Sequence, residues 1–365
     1  MSLSLSDRAA LFGDRTAVIE TGEGERTVYS YVDLDSFVER FARKLTGLGV
    51  GSGDRIALLS RNRIEVLGCV FAARRLGCSL APLSPYRSKD EIARLVERLE
   101  PSTVLHEDAQ SDRLRKVGEA TTFGELSDTD PAEYEPGERG ADDPWLLVHD
   151  ASEEPSVYTY SPDAVERNCI AGAVTWGLSG ARTANLLSLA RPDGLLVGTL
   201  PTLYAGGCVL LHRAFRPDRA LALIERADAT HVYGTPLEFD RLADAEGFEP
   251  ANFASVAAFH SSAPLPAELH DSYLLQGQPV GRLFGTPAAP HLLAFLPERA
   301  DAAENRESVG RPVPGCTVRI VDGRLEARGP VVADGTLDER FDGWVETGIE
   351  ASRDDGGDYR VEEDA

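Results

Sequence analysis

Residues 54–106 read DRIALLS (54–60), RNR (61–63), IEVLGCVFAARRL (64–76), GC (77–78), SLAPL (79–83), SPYRS (84–88), KDEIARLVERL (89–99), EP (100–101) and STVLH (102–106). The first block is an apolar run behind a Gly-Ser-Gly turn, the spelling of a buried strand. Residues 64–76 are apolar around most of a helical projection, which predicts a helix buried on more than one side. Two further strands, 79–83 and 102–106, flank a helix over 89–99. Strand and helix alternating at this spacing predict a parallel sheet with helices on both faces.

The same rhythm extends in both directions. Upstream, Thr27–Tyr29 is a short β run, and Leu34, Phe37, Val38, Phe41, Leu45 and Leu48 recur at helical spacing until Gly49 ends the helix. Downstream, residues 107–143 are acidic and rich in Gly, Ser, Thr and Pro, and read as a solvated linker. Helices are then expected at Asp163–Trp176, Pro217–Arg226, Pro236–Ala245 and Ala267–Leu275. Strands are expected at Leu186–Leu189, Cys208–Leu211, His231–Tyr233, Val256–His260 and Gly281–Phe284. From about Val309 the pattern changes to short β segments, Thr317–Val321, Arg324–Ala327 and Trp344–Thr347. The reading is an α/β chain in three parts: a first α/β subdomain over 1–143 that includes the linker, a second over 144–308, and a β-rich subdomain over 309–365.

Composition narrows the class. The 365 residues carry 60 Asp+Glu against 37 Lys+Arg, a formal net charge of −23. Lys44, Lys89 and Lys116 are the only lysines. An acidic, lysine-poor surface fits a salt-rich, halophilic cytosol, where screening limits self-repulsion. Without a basic stripe, nucleic-acid binding is not expected. Five scattered cysteines form neither a disulfide framework nor a zinc motif. The N-terminus lacks the basic and apolar regions of a signal peptide, and no run approaches the ~20 apolar residues of a membrane span. A cytoplasmic protein is expected.

Several segments then fall into a known order. They are YSYVDL from Tyr29, LGVGSGDRIALL from Leu48, APLSP from Ala81, YAGGCVLL from Tyr204 with THVYGTP from Thr230, SSAPLP from Ser261, and VGRPVPGCTVRIVD from Val309. Together they resemble the adenylate-forming enzymes, the AMP-dependent acyl-CoA synthetases and AMP-acid ligases. The resemblance implies that family's large domain: two doubly wound mixed α/β subdomains plus a small distorted β-barrel. The sequence stops where that domain ordinarily ends, so the mobile C-terminal domain, which supplies a lysine to adenylation, is expected to be absent. ATP with Mg²⁺, CoA and an acyl or aryl acid are the ligands the resemblance implies.

The motifs that hold those ligands are altered. The phosphate loop of the family is rich in Gly, Ser and Thr and ends in Pro-Lys-Gly, because small residues let backbone N–H groups converge on an anion. Here the matching segment, Asp150–Val157, has no glycine and no lysine and places Glu153 and Glu154 in its middle. It is either an altered loop holding a nucleotide through Ser152 and Ser156, or an acidic turn without a ligand. The adenine and metal motif matches LFGTPAAP from Leu283; Phe284, Gly285 and Thr286 are kept in kind, while Pro287 and Ala288 stand where the metal-binding glutamate belongs. Phe284 is either an adenine platform or core packing. The aspartate that grips ribose is replaced by Ile349, with Glu350 one residue on. Arg191, in the place of a cleft histidine, either grips a carboxylate or pairs with Asp193. Ser261, Ser262 and Ala263 match a turn lining the substrate cleft.

No catalytic residue and no metal ligand is assigned, and neither ATP/Mg²⁺ nor CoA is assigned to this chain as a cofactor. The expectation is a degenerate paralogue without adenylation activity that keeps a cleft for an acyl or aryl acid or a CoA-like molecule. Two alternatives stand beside it. One is an active carboxylate–CoA ligase that recruits a partner subunit carrying the C-terminal domain. The other is a regulatory or structural subunit with no small-molecule ligand.

Overall fold

The 54–106 segment folds as its pattern predicts. In the computed structural model, which describes residues 4–22, 26–137, 140, 143–150, 152–296 and 306–362, it forms strands Arg55–Leu59, Ser79–Leu83 and Thr103–His106 around helices Ile64–Leu76 and Lys89–Leu99. Local chemistry sets the ends. Ser88 and Glu91 make a capping box at the start of the second helix, and Gly77, left-handed at φ 69°, stops the first.

These strands belong to a seven-stranded sheet whose order is Gly335–Thr336, Val157–Tyr160, Leu146–His149, Ser79–Leu83, Arg55–Leu59, Thr103–His106, Thr121–Thr122. A nine-stranded sheet runs Arg311–Pro312, Ala289–Phe295, Val280–Thr286, Ala258–Ser261, His231–Gly234, Arg182–Asn185, Cys208–His212, Thr16–Thr21, Arg26–Ser30. Its interior pairs are parallel, and its outermost pairs are antiparallel. A third, curled antiparallel sheet joins Thr317–Val321, Arg324–Arg328, Val345–Arg353 and Tyr359–Glu362. Sheet membership does not follow chain order. Thr16–Thr21 and Arg26–Ser30 pair into the larger sheet, whereas Leu146–His149 and Val157–Tyr160, beyond residue 143, complete the smaller one. A single apolar core joins the two sheets through the Tyr31–Gly47, Ile64–Leu76 and Pro162–Trp176 helices.

Several expectations are corrected. The strand near residue 185 is Arg182–Asn185, not Leu186–Leu189; the apolar 186–189 segment is loop. The late strand expected at Trp344–Thr347 is the longer Val345–Arg353. The 107–143 stretch is more than linker: it contains a 3₁₀ turn at Asp108–Arg113, the strand Thr121–Thr122 and the helix Phe123–Asp128, with Phe123 and Leu126 buried. Its residues 138, 139, 141 and 142 lie outside the described residues. Among the described residues no helix is long and apolar enough to cross a membrane.

The Val309 signature has a steric basis. Gly310 sits at φ 86°, and a Cβ there would lie 1.9 Å from the Ala294 carbonyl oxygen. Only glycine permits that approach between the β-rich part and the nine-stranded sheet.

Candidate functional site

The carboxyl ends of the parallel strands of both sheets converge on one cleft, where open α/β sheets characteristically place ligands. Ser84, Tyr86 and Arg87 follow Ser79–Leu83, Asp150 follows Leu146–His149, Arg191 lies beyond Arg182–Asn185, and Thr286 ends Val280–Thr286. Together they line a cleft of about 440 Å³. An adjoining depression is lined by Arg191, Ser262, Ala263, Phe284 and Gly285. The structure therefore brings Arg191, Gly285 and Thr286 together in the first, and Ser262, Ala263 and Phe284 together beside it. Ser261 is fully buried beneath, with its hydroxyl donating to the Ala263 carbonyl at 2.5 Å. Ser152 and Ser156 are not among the residues lining either space.

The loop between Leu146–His149 and Val157–Tyr160 explains that exclusion. The two strands are antiparallel, with His149 opposite Val157. Inside the turn, one Asp150 carboxylate oxygen accepts from the Ser152 backbone N–H at 3.1 Å and from the Ser152 hydroxyl at 2.5 Å. The other accepts from the Ser156 backbone N–H at 3.3 Å. The donors that a phosphate loop would aim at an external anion are thus closed on an internal one. Residue 151, within this loop, lies outside the described residues. Arg87 locks the loop from outside, donating to the Asp150 carbonyl and pairing with Glu91 at 3.1 Å.

The second motif forms a hairpin. Val280–Thr286 turns back through Pro287 and Ala288 into Ala289–Phe295, with Thr286 opposite Ala289. A Cβ at Gly285 would lie 2.3 Å from the Ala289 carbonyl oxygen, so the irregularity between Phe284 and Thr286 requires glycine there. Phe284 is buried with Ala288, Leu292 and Leu293, as core packing would have it. The Thr286 hydroxyl is buried at the cleft wall and has no hydrogen-bond partner among the described residues. Neither residue of the turn has a side chain able to ligate a cation.

Arg191 is half exposed, and Asp193 meets it with two parallel hydrogen bonds of 2.9 and 2.7 Å. Hydrogen bonding to Asp193, then its charge, raises the guanidinium pKa further. Two buried asparagines that sequence reasoning missed shape this segment. Asn62 accepts from the Leu189 N–H and donates to the Leu187 carbonyl, both at 2.8 Å, and Asn185 accepts from the Leu187 N–H at 3.1 Å. Arg87 and His149 were missed as well, and Asp150 was read only as the first residue of the 150–157 loop. Only their place at strand ends could have marked them.

In the third sheet Ile349 packs on the apolar cluster while Glu350 is exposed, as alternation along a strand requires. Glu350 therefore lies on the opposite face of the strand from Ile349. Among the described residues no cluster of three or more His, Cys, Asp or Glu side chains is arranged to hold a metal ion.

The chain matches the AMP-binding enzyme family over residues 5–337. It is 28% identical to feruloyl-CoA synthases of Amycolatopsis sp and Streptomyces sp, over 97% of this chain and 76% of theirs. It is 27% identical to the indoleacetate–CoA ligase of Aromatoleum aromaticum, over 92% of this chain and 74% of that one. In structure it resembles the N-terminal domain of FACL13 from Mycobacterium tuberculosis, with TM-score 0.90, 18% identity and 100% of both chains covered. It also resembles the o-succinylbenzoate CoA synthetase of Bacillus subtilis in complex with AMP, with TM-score 0.88, 21% identity, and coverage of 99% of this chain and 78% of that one.

Proposed function

The chain belongs to the AMP-binding enzyme family, and from that premise we propose that it is a degenerate relative of the acyl- and aryl-acid–CoA ligases. It keeps a cleft for a carboxylic acid or a CoA-like molecule and has lost adenylation. The observation that carries this reading is the Asp150 loop. An external phosphate arriving there meets N–H and O–H donors already satisfied by a carboxylate, with Glu153 and Glu154 alongside. Like charge at close range opposes it further. The Pro287–Ala288 turn and Ile349 remove the carboxylates that would hold Mg²⁺ and ribose. The residues present do not fit Mg²⁺-ATP.

What remains suits an organic acid. Tyr86, Ala190, Pro287 and Pro290 give the cleft apolar walls, and the Thr286 hydroxyl and Arg87 are polar groups on its lining. An aryl acid of the kind named for the relatives, such as ferulate or indoleacetate, matches those walls. We assign the protein to a cytoplasm of high salt, in keeping with its charge of −23.

The test is ATP–pyrophosphate exchange with a panel of aryl and acyl acids in roughly molar KCl, run beside thermal-shift titrations of the same acids and CoA. The expected result is no exchange, with at least one acid or CoA raising the melting temperature through binding to the folded state alone. Exchange above background identifies an active ligase instead. Neither exchange nor a shift leaves the regulatory or structural reading.

A further inference from the structure

Outside the cleft, the arginines of this acidic chain gather in one place. A concavity of about 520 Å³ lies between the ends of the Thr16–Thr21 and Cys208–His212 strands and one side of the Pro217–Arg226 helix. Arg216, just before the helix, and Arg219 and Arg226 within it line the concavity, the last two in phase at two turns. Arg26 lines it from the strand beside Thr16–Thr21. Arg61 and Arg213 close its inner end, where the single buried Glu107 partly neutralises them, at 2.9 and 2.6 Å.

The outer arginines are not neutralised in this way. Arg26, Arg219 and Arg226 are exposed and have no hydrogen bond or ion pair with a described residue, and Arg216 stands 3.7 Å from Asp218. Among the described residues no carboxylate lines the concavity, in a chain with 60 of them. His212 contributes to the floor; it is 4% exposed, and its ring nitrogens make no hydrogen bond of normal geometry with a described residue. Ala222, Leu223 and Ala227 form an apolar wall. Like charges held together without counter-charge disfavour the folded state unless something anionic joins them.

We infer that this concavity binds a small molecule bearing two or more phosphoryl groups. Guanidinium forks match phosphate oxygens bidentately, and three that lack partners suit more than one phosphoryl group. The volume lies within the range of small-molecule pockets. The apolar wall takes the part of the ligand that is not phosphate. No described residue lines both the concavity and the cleft; a depression lined by Arg61, Tyr86, Arg191 and Arg213 lies between them.

Calorimetric titration of the full chain with sodium pyrophosphate, and separately with ADP, tests it at about 0.15 M and about 1 M KCl. Pyrophosphate is expected to bind at one site with a Kd below about 1 mM at the lower salt. Arg219→Glu with Arg226→Glu, both exposed positions, weakens it roughly tenfold or more. Arg219→Lys with Arg226→Lys keeps the charge and loses the fork, and weakens it less. Arg191→Glu, in the cleft, leaves it unchanged. The proposal is overturned by absence of binding at 1 mM probe, by a double glutamate variant that binds as tightly as the parent, or by loss of binding in Arg191→Glu.

Discussion

Two carboxylates of this protein gather donors around themselves in contrasting settings. Asp150 sits in an exposed turn and draws in two backbone N–H groups and a hydroxyl from residues within six positions of itself. Glu107 is fully buried and is held by Arg61, Gln110 and Arg213, the last at the end of a strand in the other large sheet. One carboxylate closes a turn that water can reach. The other ties two sheets together out of water. The difference teaches that the same chemical group closes a local turn in one place and forms a long-range structural tie in the other, and that burial and sequence separation decide which.

Acid brings the largest expected effect, and it has to be separated from both carboxylates. Burial pushes His212 down to about 4 and His291 down to about 3, and it lowers His260 strongly, helped by the nearby His231 and His291. In the unfolded chain these rings titrate near 6.5, so between that pH and their folded values the unfolded state binds more protons. Their contribution is complete above about pH 6.5 and is lost as pH falls below it, at about 1.4 kcal/mol per unit for each ring. For Glu107, burial raises the pKa, but hydrogen bonds from Gln110 and Arg61 and the charge of Arg213 outweigh it, and the net shift is downward. Its contribution is present above the ordinary carboxylate range and is lost only below it. Urea midpoints measured from pH 7 to 4.5 at fixed salt should therefore fall in the parent and in Glu107→Gln alike. A Glu107→Gln variant with a flat profile over that range would show that the carboxylate, not the imidazoles, governs it.

Glu107→Ala comes next. Removing one member of a buried ion pair costs about 3–5 kcal/mol when the charge left behind stays buried. Here Arg61 and Arg213 are 35% and 39% exposed and can turn to water, which places the loss near the lower end, about 3 kcal/mol. Chemical denaturation followed by tryptophan fluorescence measures it. A loss under about 1 kcal/mol would reduce Glu107 to the standing of a surface pair.

How much of this was legible in the sequence follows from the range of the interactions. Pro217–Arg226, Ala267–Leu275 and Thr317–Val321 begin and end where the pattern put them, because caps, turns and alternation are local. Leu186–Leu189 misled because its apolar residues are buried as a loop, held by Asn62 and Asn185 from two different strand ends. Glu107 was read into an acidic linker, since nothing adjacent to it in sequence announces Arg213. The loss of glycine and lysine from the 150–157 loop was visible, but the sequence left its serines open between holding a nucleotide and lying in an acidic turn without a ligand. Which way a backbone N–H points depends on how the turn closes, and composition does not encode that closure.

Asp150→Ala is expected to produce the smallest change in stability and the most informative change in binding. The Ser152 and Ser156 groups that lose their acceptor are solvated, so water replaces most of what is removed, and the cost is about 1 kcal/mol or less. The same substitution deletes a negative charge and leaves two N–H groups without an acceptor. Inorganic phosphate should therefore raise the melting temperature of Asp150→Ala more than that of the parent, weakly, because Glu153 and Glu154 remain. ATP–pyrophosphate exchange should stay absent, since Pro287, Ala288 and Ile349 are untouched. If the parent responds to phosphate as strongly as the variant, and the Arg219→Glu/Arg226→Glu background does not abolish that response, then Asp150 does not occupy the anion position, and the contrast with Glu107 reduces to one of burial alone.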